Sequence, residues 1–195
     1  MSISGILSVL SGFVFLVAFF PYIEAIIKKR TSPRKATWLV WAIGDCVILA
    51  GMIAKGTISG LIVAACLGAT TVFLLSLRHG ETGWKTRDKV CITLSGIAIV
   101  LWQCFGESDI GIAFSSLSLA IAAWPTYVSA WERPENEDAK GWILFNISNF
   151  LAVLAIRHLT FADIVPPVAF FLIDSPMLFL LFVRPALLRR RAQIT

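Results

Sequence analysis

The sequence predicts an all-α membrane protein of seven transmembrane helices, built as two parallel three-helix units joined by a linker helix, with the N-terminus outside and the C-terminus cytoplasmic. Three observations predict this: a composition too apolar for a soluble domain, seven apolar runs divided by short loops, and basic charge confined to alternate loops. Of 195 residues, 57% are hydrophobic and 15% charged, with a mean hydropathy of +0.81. A soluble domain carries about 25% charged residues, and a short chain in water buries only part of its apolar surface. A bilayer supplies the missing apolar phase.

A span needs about 20 mostly apolar residues. The runs at 3–27, 37–54, 58–78, 89–106, 110–131, 141–157 and 161–183 meet or approach this. The first lacks a basic segment ahead of it and continues to Ile27, so it reads as a membrane helix and not a signal peptide. The second follows a basic loop and carries Trp38, Trp41 and Asp45 at spacings of three and four, hence on one face. The third has Gly56, Gly60, Ala64 and Gly68 every fourth residue, a small-residue ridge for close helix approach. The fourth is the linker. The fifth contains Pro125. The sixth places Trp142, Phe145, Asn146 and Asn149 on one face. The seventh opens near Pro166-Pro167, which should break or bend its start, and carries Asp174 and Ser175.

The net charge of +5 does not indicate nucleic acid, because the basic residues lie between apolar runs and not on one amphipathic surface. Five lie between helices one and two (Lys28, Lys29, Arg30, Arg34, Lys35), and four between three and four (Arg78, Lys85, Arg87, Lys89). Two lie between five and six (Arg133, Lys140), and four follow helix seven (Arg184, Arg189, Arg190, Arg191). Only Lys55 and Arg157 of the 17 fall on the other side, so the first side is cytoplasmic by the positive-inside rule. Six or eight spans would scramble this partition.

The two halves resemble each other. FFPYIEAIIKKRTSPRKATWLVWAIGD from Phe19 aligns without gaps on AWPTYVSAWERPENEDAKGWILFNISN from Ala123, at an offset of 104. Pro21 meets Pro125, Trp38 meets Trp142 and Asp45 meets Asn149. Further on, Thr70 meets Asp174 and Thr71 meets Ser175. The units are therefore 1–80 and 109–195, the second ending in the basic tail, with 81–108 as linker loop and helix four. An odd number of linker helices makes the units parallel, a device of transporters.

This plan, the Pro near the end of helix one, the short polar loop and the Trp-bearing second helix resemble the SWEET and PQ-loop superfamily. The Pro-Gln dipeptide is replaced by Pro21-Tyr22 and Pro125-Thr126, and the prolines that SWEETs carry in helices two and six are absent. The resemblance implies a transporter of a small polar solute, sugar or amino-acid-like, working by alternating access in the plasma (inner) membrane. It implies that Asn149 matches a substrate-contacting Asn, while Asp45 departs from that pattern.

The expected substrate pocket comprises Trp41, Asp45, Thr70, Thr71, Asn146, Asn149, Asp174 and Ser175. Asp45 and Asp174 are candidates for proton coupling, since a carboxylate at mid-span costs at least about 2.5 kcal/mol and must face water, a partner or a proton. Pro21 and Pro125 remove a helix hydrogen bond each and are candidate gating kinks, static kinks being the alternative. Trp38 and Trp142 read equally well as interfacial anchors. Cys46, Cys66, Cys91 and Cys104 show no metal or redox spacing and read as packing residues. No cofactor or metal is expected. The expected partners are a small polar solute and the lipid bilayer, with a homo-oligomer left open.

Other seven-helix readings fit less well. A retinal protein needs a lysine in helix seven, and residues 161–183 contain none. An enzyme needs a catalytic cluster, and His79 and His158 fall on opposite sides of the membrane. A receptor or scaffold of the same fold is the remaining alternative.

Overall fold

A computed structural model describes residues 2–81, 83 and 85–186. The basic tail at Arg189, Arg190 and Arg191 lies outside these residues. Among the described residues there are seven α-helices and no strand. They are α1 (Ile3–Ile27), α2 (Lys35–Ala54), α3 (Gly60–His79), α4 (Thr86–Phe105), α5 (Ser108–Glu132), α6 (Ala139–Leu154) and α7 (Phe161–Leu178). A π-helical turn at Phe179–Val183 carries α7 onward. Every helix lies within a few residues of its predicted span, because the bilayer requires each apolar run to satisfy its own backbone.

Among the described residues, five helices, α1, α2, α3, α5 and α7 with its continuation, are long and apolar enough to cross a membrane. α6 is apolar but has only 16 residues, and α4 opens with Arg87, Asp88 and Lys89. Side-chain caps start several helices: Ser2 accepts from the Gly5 N–H at 3.2 Å and Asp138 from the Gly141 N–H at 2.8 Å. The outward faces carry large apolar residues such as Leu67, Leu74, Phe150 and Leu172, all more than half exposed. In water these would form an untenable patch; against lipid they are the expected surface.

α3 packs against both α1 and α2, and α7 packs against both α5 and α6. The groups join through α1 against α6 and α2 against α5, which closes a ring of six helices. α4 sits outside the ring, mainly on α5. Both junctions are tied by hydroxyl-to-carbonyl bonds. Ser11 Oγ donates to Ser148 O at 2.9 Å and Ser148 Oγ returns to Ser11 O at 2.7 Å. Thr37 Oγ1 donates to Ala122 O at 2.7 Å. Such bonds hold membrane helices together where hydrophobic burial cannot.

The small-residue ridge is displaced by one turn from the expectation. Gly56 lies in the turn before α3, at φ +72, and adds nothing to a helix face. Gly60 instead meets Gly12 so closely that a Cβ on Gly12 would stand 2.6 Å from the Gly60 backbone. Pro166-Pro167 does not break the seventh helix: α7 starts at Phe161, capped by Thr160, and runs through both prolines. They leave only the Ala162 and Asp163 carbonyls without their usual donors, close to the helix start. Pro21 and Pro125 likewise sit inside unbroken helices.

The loops alternate between two ends. At one end, the Glu81 N–H donates to Pro33 O at 3.2 Å, and Ser129 Oγ donates to Glu81 Oε1 at 3.2 Å. These contacts gather the basic loops 28–35 and 80–85 with the end of α5. At the other end, Lys55 pairs with Asp109 at 3.1 Å, and the start of α1 meets Gly60.

Candidate functional site

All six ring helices contribute to one central cavity of about 30 Å³. That volume holds a water or two, far less than a substrate pocket of about 300 Å³ or more. α2 contributes Trp38, Trp41 and Asp45; α6 contributes Trp142 and Phe145; α7 contributes Phe170, Ile173 and Asp174. Phe15 and Phe19 of α1, Ala65 and Ala69 of α3, and Leu119 of α5 complete the wall. The aromatic rings interlock edge to face, with Trp38 and Trp41 centroids 5.0 Å apart and Trp41 and Trp142 6.3 Å apart.

Trp38 and Trp142 are 3% and 1% exposed, so both are core residues of this wall and not interfacial anchors. Trp41 donates its indole N–H to Leu119 O at 3.0 Å, across the α2–α5 junction. Asp174 is held by Asn149, whose Nδ2 donates to Oδ2 at 2.8 Å. Asn146 Nδ2 donates to the Asp174 backbone carbonyl at 3.2 Å and to Trp142 O at 2.9 Å. Asp45 is 3% exposed, and its Oδ1 is buried with no hydrogen-bond partner. The two carboxylates line the same small cavity.

The structure thus brings Trp41, Asp45 and Asp174 to the cavity, with Asn146 and Asn149 directly behind Asp174. It does not bring Thr70, Thr71 or Ser175 there. Thr70 and Thr71 face outward and donate to Cys66 O and Leu67 O of their own helix, at 2.7 and 2.9 Å. Ser175 does the same to Phe171 O at 2.5 Å. The reason is phase. The offset of 104 places Phe15 with Leu119, Trp38 with Trp142 and Trp41 with Phe145, and every member of these pairs lines the cavity. α6 is then four residues shorter than α2, a full turn that keeps the face, while its connection to α7 is one residue longer. α7 therefore starts 101 residues after α3 and not 104, so the offset no longer pairs equivalent faces of these two helices, and Ala69 and not Thr70 shares the cavity with Asp174.

The basic-loop end is closed by Arg34, which the sequence counts among the flanking charges, and by acidic groups to which it assigns no role. Arg34 is 2% exposed. Its Nη2 forks onto Asp88 Oδ1 and Oδ2 at 2.5 and 2.7 Å, and its Nη1 pairs with Glu81. Nearby, Glu137 Oε2 accepts from Trp142 Nε1 at 3.0 Å and from the Tyr22 hydroxyl at 3.3 Å. Burial pushes the Glu137 carboxyl up to about 7, against the pull of those two donors. The available signal was the presence of Glu81 and Asp88 among the cations between helices three and four, since opposite charges at one helix end can pair; the stretch 132–140 around Glu137 holds four acidic residues and two basic ones and offered no such signal.

The opposite end is open. A vestibule of about 840 Å³ runs between the start of α1, the α2–α3 turn and the α6–α7 connection, with Arg157, His158 and Asp163 at its rim. Gly12 and Ala64 line the vestibule, one turn and one residue respectively from Phe15 and Ala65 of the cavity. No known family, curated protein or solved structure matches the chain, so the chemistry of the site is read from its own residues.

Proposed function

We propose that the chain is a transporter of a small polar solute that works by alternating access, with the plan of the SWEET and PQ-loop superfamily. In this reading α1–α3 and α5–α7 are parallel repeats and α4 links them, with the N-terminus outside and the basic-loop end cytoplasmic. Supporting the repeat, α3 and α7 pack equivalently within their triplets, and equivalent positions of α1/α5 and α2/α6 line one cavity.

The observation that carries the reading is one central aromatic cavity bearing two carboxylates, Asp45 and Asp174, between two unlike ends. A wide vestibule approaches it from one side, and ion pairs around Arg34 close the other. The cavity's small volume fits an occluded stage of a cycle in which the site is wide only when a solute enters. Asp45 and Asp174, held in apolar surroundings, are the groups whose charge a solute or proton would compensate.

Reconstitution in liposomes tests this. Uptake of a small polar solute should be saturable and should fall at least tenfold in Asp174→Asn, with folding intact. If protons are coupled, that variant loses pH-driven accumulation but keeps exchange down a gradient. A folded protein that binds a solute tightly yet moves nothing across a broad panel is a receptor of the same fold. Reporters inserted near Arg34 and near Lys55 should read cytoplasmic and external respectively.

A further inference from the structure

We propose that the central cavity selects a primary or secondary organic ammonium ion that carries no carboxylate, a proposal that rests on the cavity being the substrate site. The polar chemistry of the wall is one-sided. Its carboxylates, Asp45 and Asp174, are acceptors when ionised. The indole donors of Trp41 and Trp142 are already committed, to Leu119 O and to Glu137. Among the described residues, no Lys, Arg or His lines the cavity.

The unpartnered buried atoms point the same way. Asp45, a wall residue, has a buried Oδ1 that accepts nothing, and behind the wall Asn146 Oδ1 and Asn149 Oδ1 are also without donors. The amide nitrogens of both Asn residues are turned to Asp174, fixing it in place. An unpaired buried acceptor costs about 1–3 kcal/mol, so the site favours a ligand that brings N–H donors. An ammonium brings donors and the positive charge that a wall with two carboxylates and no cation lacks.

A sugar fits this wall poorly, because its hydroxyls need acceptors and donors together. A zwitterionic amino acid would set its carboxylate beside two others with no cation to receive it. A divalent metal ion would need about six oxygen ligands, and the remaining wall is hydrocarbon and aromatic. The faces of Trp38, Trp41 and Trp142 instead suit the apolar body of an organic cation and add cation–π attraction.

The test uses the purified full chain and matched probes. Isobutylamine and phenethylamine are compared with their alcohols, isobutanol and phenylethanol, with their amino acids, valine and phenylalanine, and with tetramethylammonium and glucose. Binding is read by calorimetry and thermal stabilisation in detergent, separately from transport. The amines should bind at least tenfold more tightly than the alcohols, the amino acids, glucose and tetramethylammonium, which has charge but no N–H. Asp45→Asn and Asp174→Asn should each weaken amine binding about tenfold or more, the loss expected for a hydrogen bond to a charged group.

Equal binding of an amine and its alcohol on the unaltered chain overturns the proposal without any variant. So does a preference for the amino acids or glucose, or the absence of amine binding altogether. Amine binding without uptake in liposomes leaves the ligand class standing and removes the transporter reading. Uptake of glucose but not amines does the reverse.

Discussion

Asn149 on α6 donates from Nδ2 to Oδ2 of Asp174 on α7 at 2.8 Å, and the same amide reaches Phe170 O at 3.3 Å. The contact fixes one acidic group of the cavity and ties α6 to α7. Asn149→Ala removes the donor while the carboxylate stays buried. The variant should lose about 1–3 kcal/mol of stability, the cost of an unsatisfied buried acceptor, and solute uptake should fall with it. Thermal unfolding in detergent, alongside liposome uptake, checks both. Unchanged stability would show that Asp174 finds another partner.

Arg34 is the keystone of the closed end, since it is buried and satisfies both Asp88 and Glu81. Arg34→Ala leaves the buried Asp88 without its cation, and breaking such a buried pair costs about 3–5 kcal/mol. The closed arrangement should yield before the helices do. A cysteine placed at Ala130, which is fully buried, should react slowly with a water-soluble maleimide in an otherwise cysteine-free chain. In the Arg34→Ala background it should react at least tenfold faster. Equal rates would mean that the ion pairs do not hold this end shut.

Glu137 makes the same end sensitive to pH. Its carboxyl is raised from 4.5 to about 7 in the closed arrangement, so that arrangement binds the proton more tightly than an open, hydrated one. The resulting stabilisation is fully present below the ordinary carboxylate range and is lost as pH rises through about 7. Labelling of the Ala130 cysteine should therefore quicken as pH rises across neutrality, after correction for the thiol's own ionisation. In Glu137→Gln the pH dependence should vanish and the slow rate persist. A pH profile untouched by this substitution would assign the effect elsewhere.

Gly12 tests the packing of α1 on α3. A Cβ there would stand 2.6 Å from backbone atoms of Gly60, which cannot swing aside as a side chain can. Gly12→Ala should destabilise the fold by about 1–3 kcal/mol, in the range of an overpacked core. Gly96→Ala, with nothing within 4 Å of its Cβ, is the matched control and should be nearly neutral. Similar melting temperatures for the two would show that α1 and α3 separate at little cost.

The sequence by itself determined where the helices lie and how the loops divide between the two ends. Hydropathy is local: each apolar run must close its own backbone hydrogen bonds in lipid, so Ile3–Ile27 or Ser108–Glu132 can be read without knowing any neighbour. The sequence also placed Trp41, Asp45, Asn146 and Asn149 on their helix faces, because three- and four-residue spacing settles a face within one helix, and it singled out Asp174 as a carboxylate at mid-span. Only the tertiary structure decided how those faces meet. Thr70 and Thr71 fall on the outer face of α3, and packing of α3 against α1 and α2 brings Ala69 to the cavity with Asp174. The burial of Arg34 between Asp88 and Glu81, and of Glu137 under Tyr22 and Trp142, joins loops far apart in sequence. Composition counts such charges as flanking residues, whereas their role depends on which opposite charge the packed helix ends bring within reach.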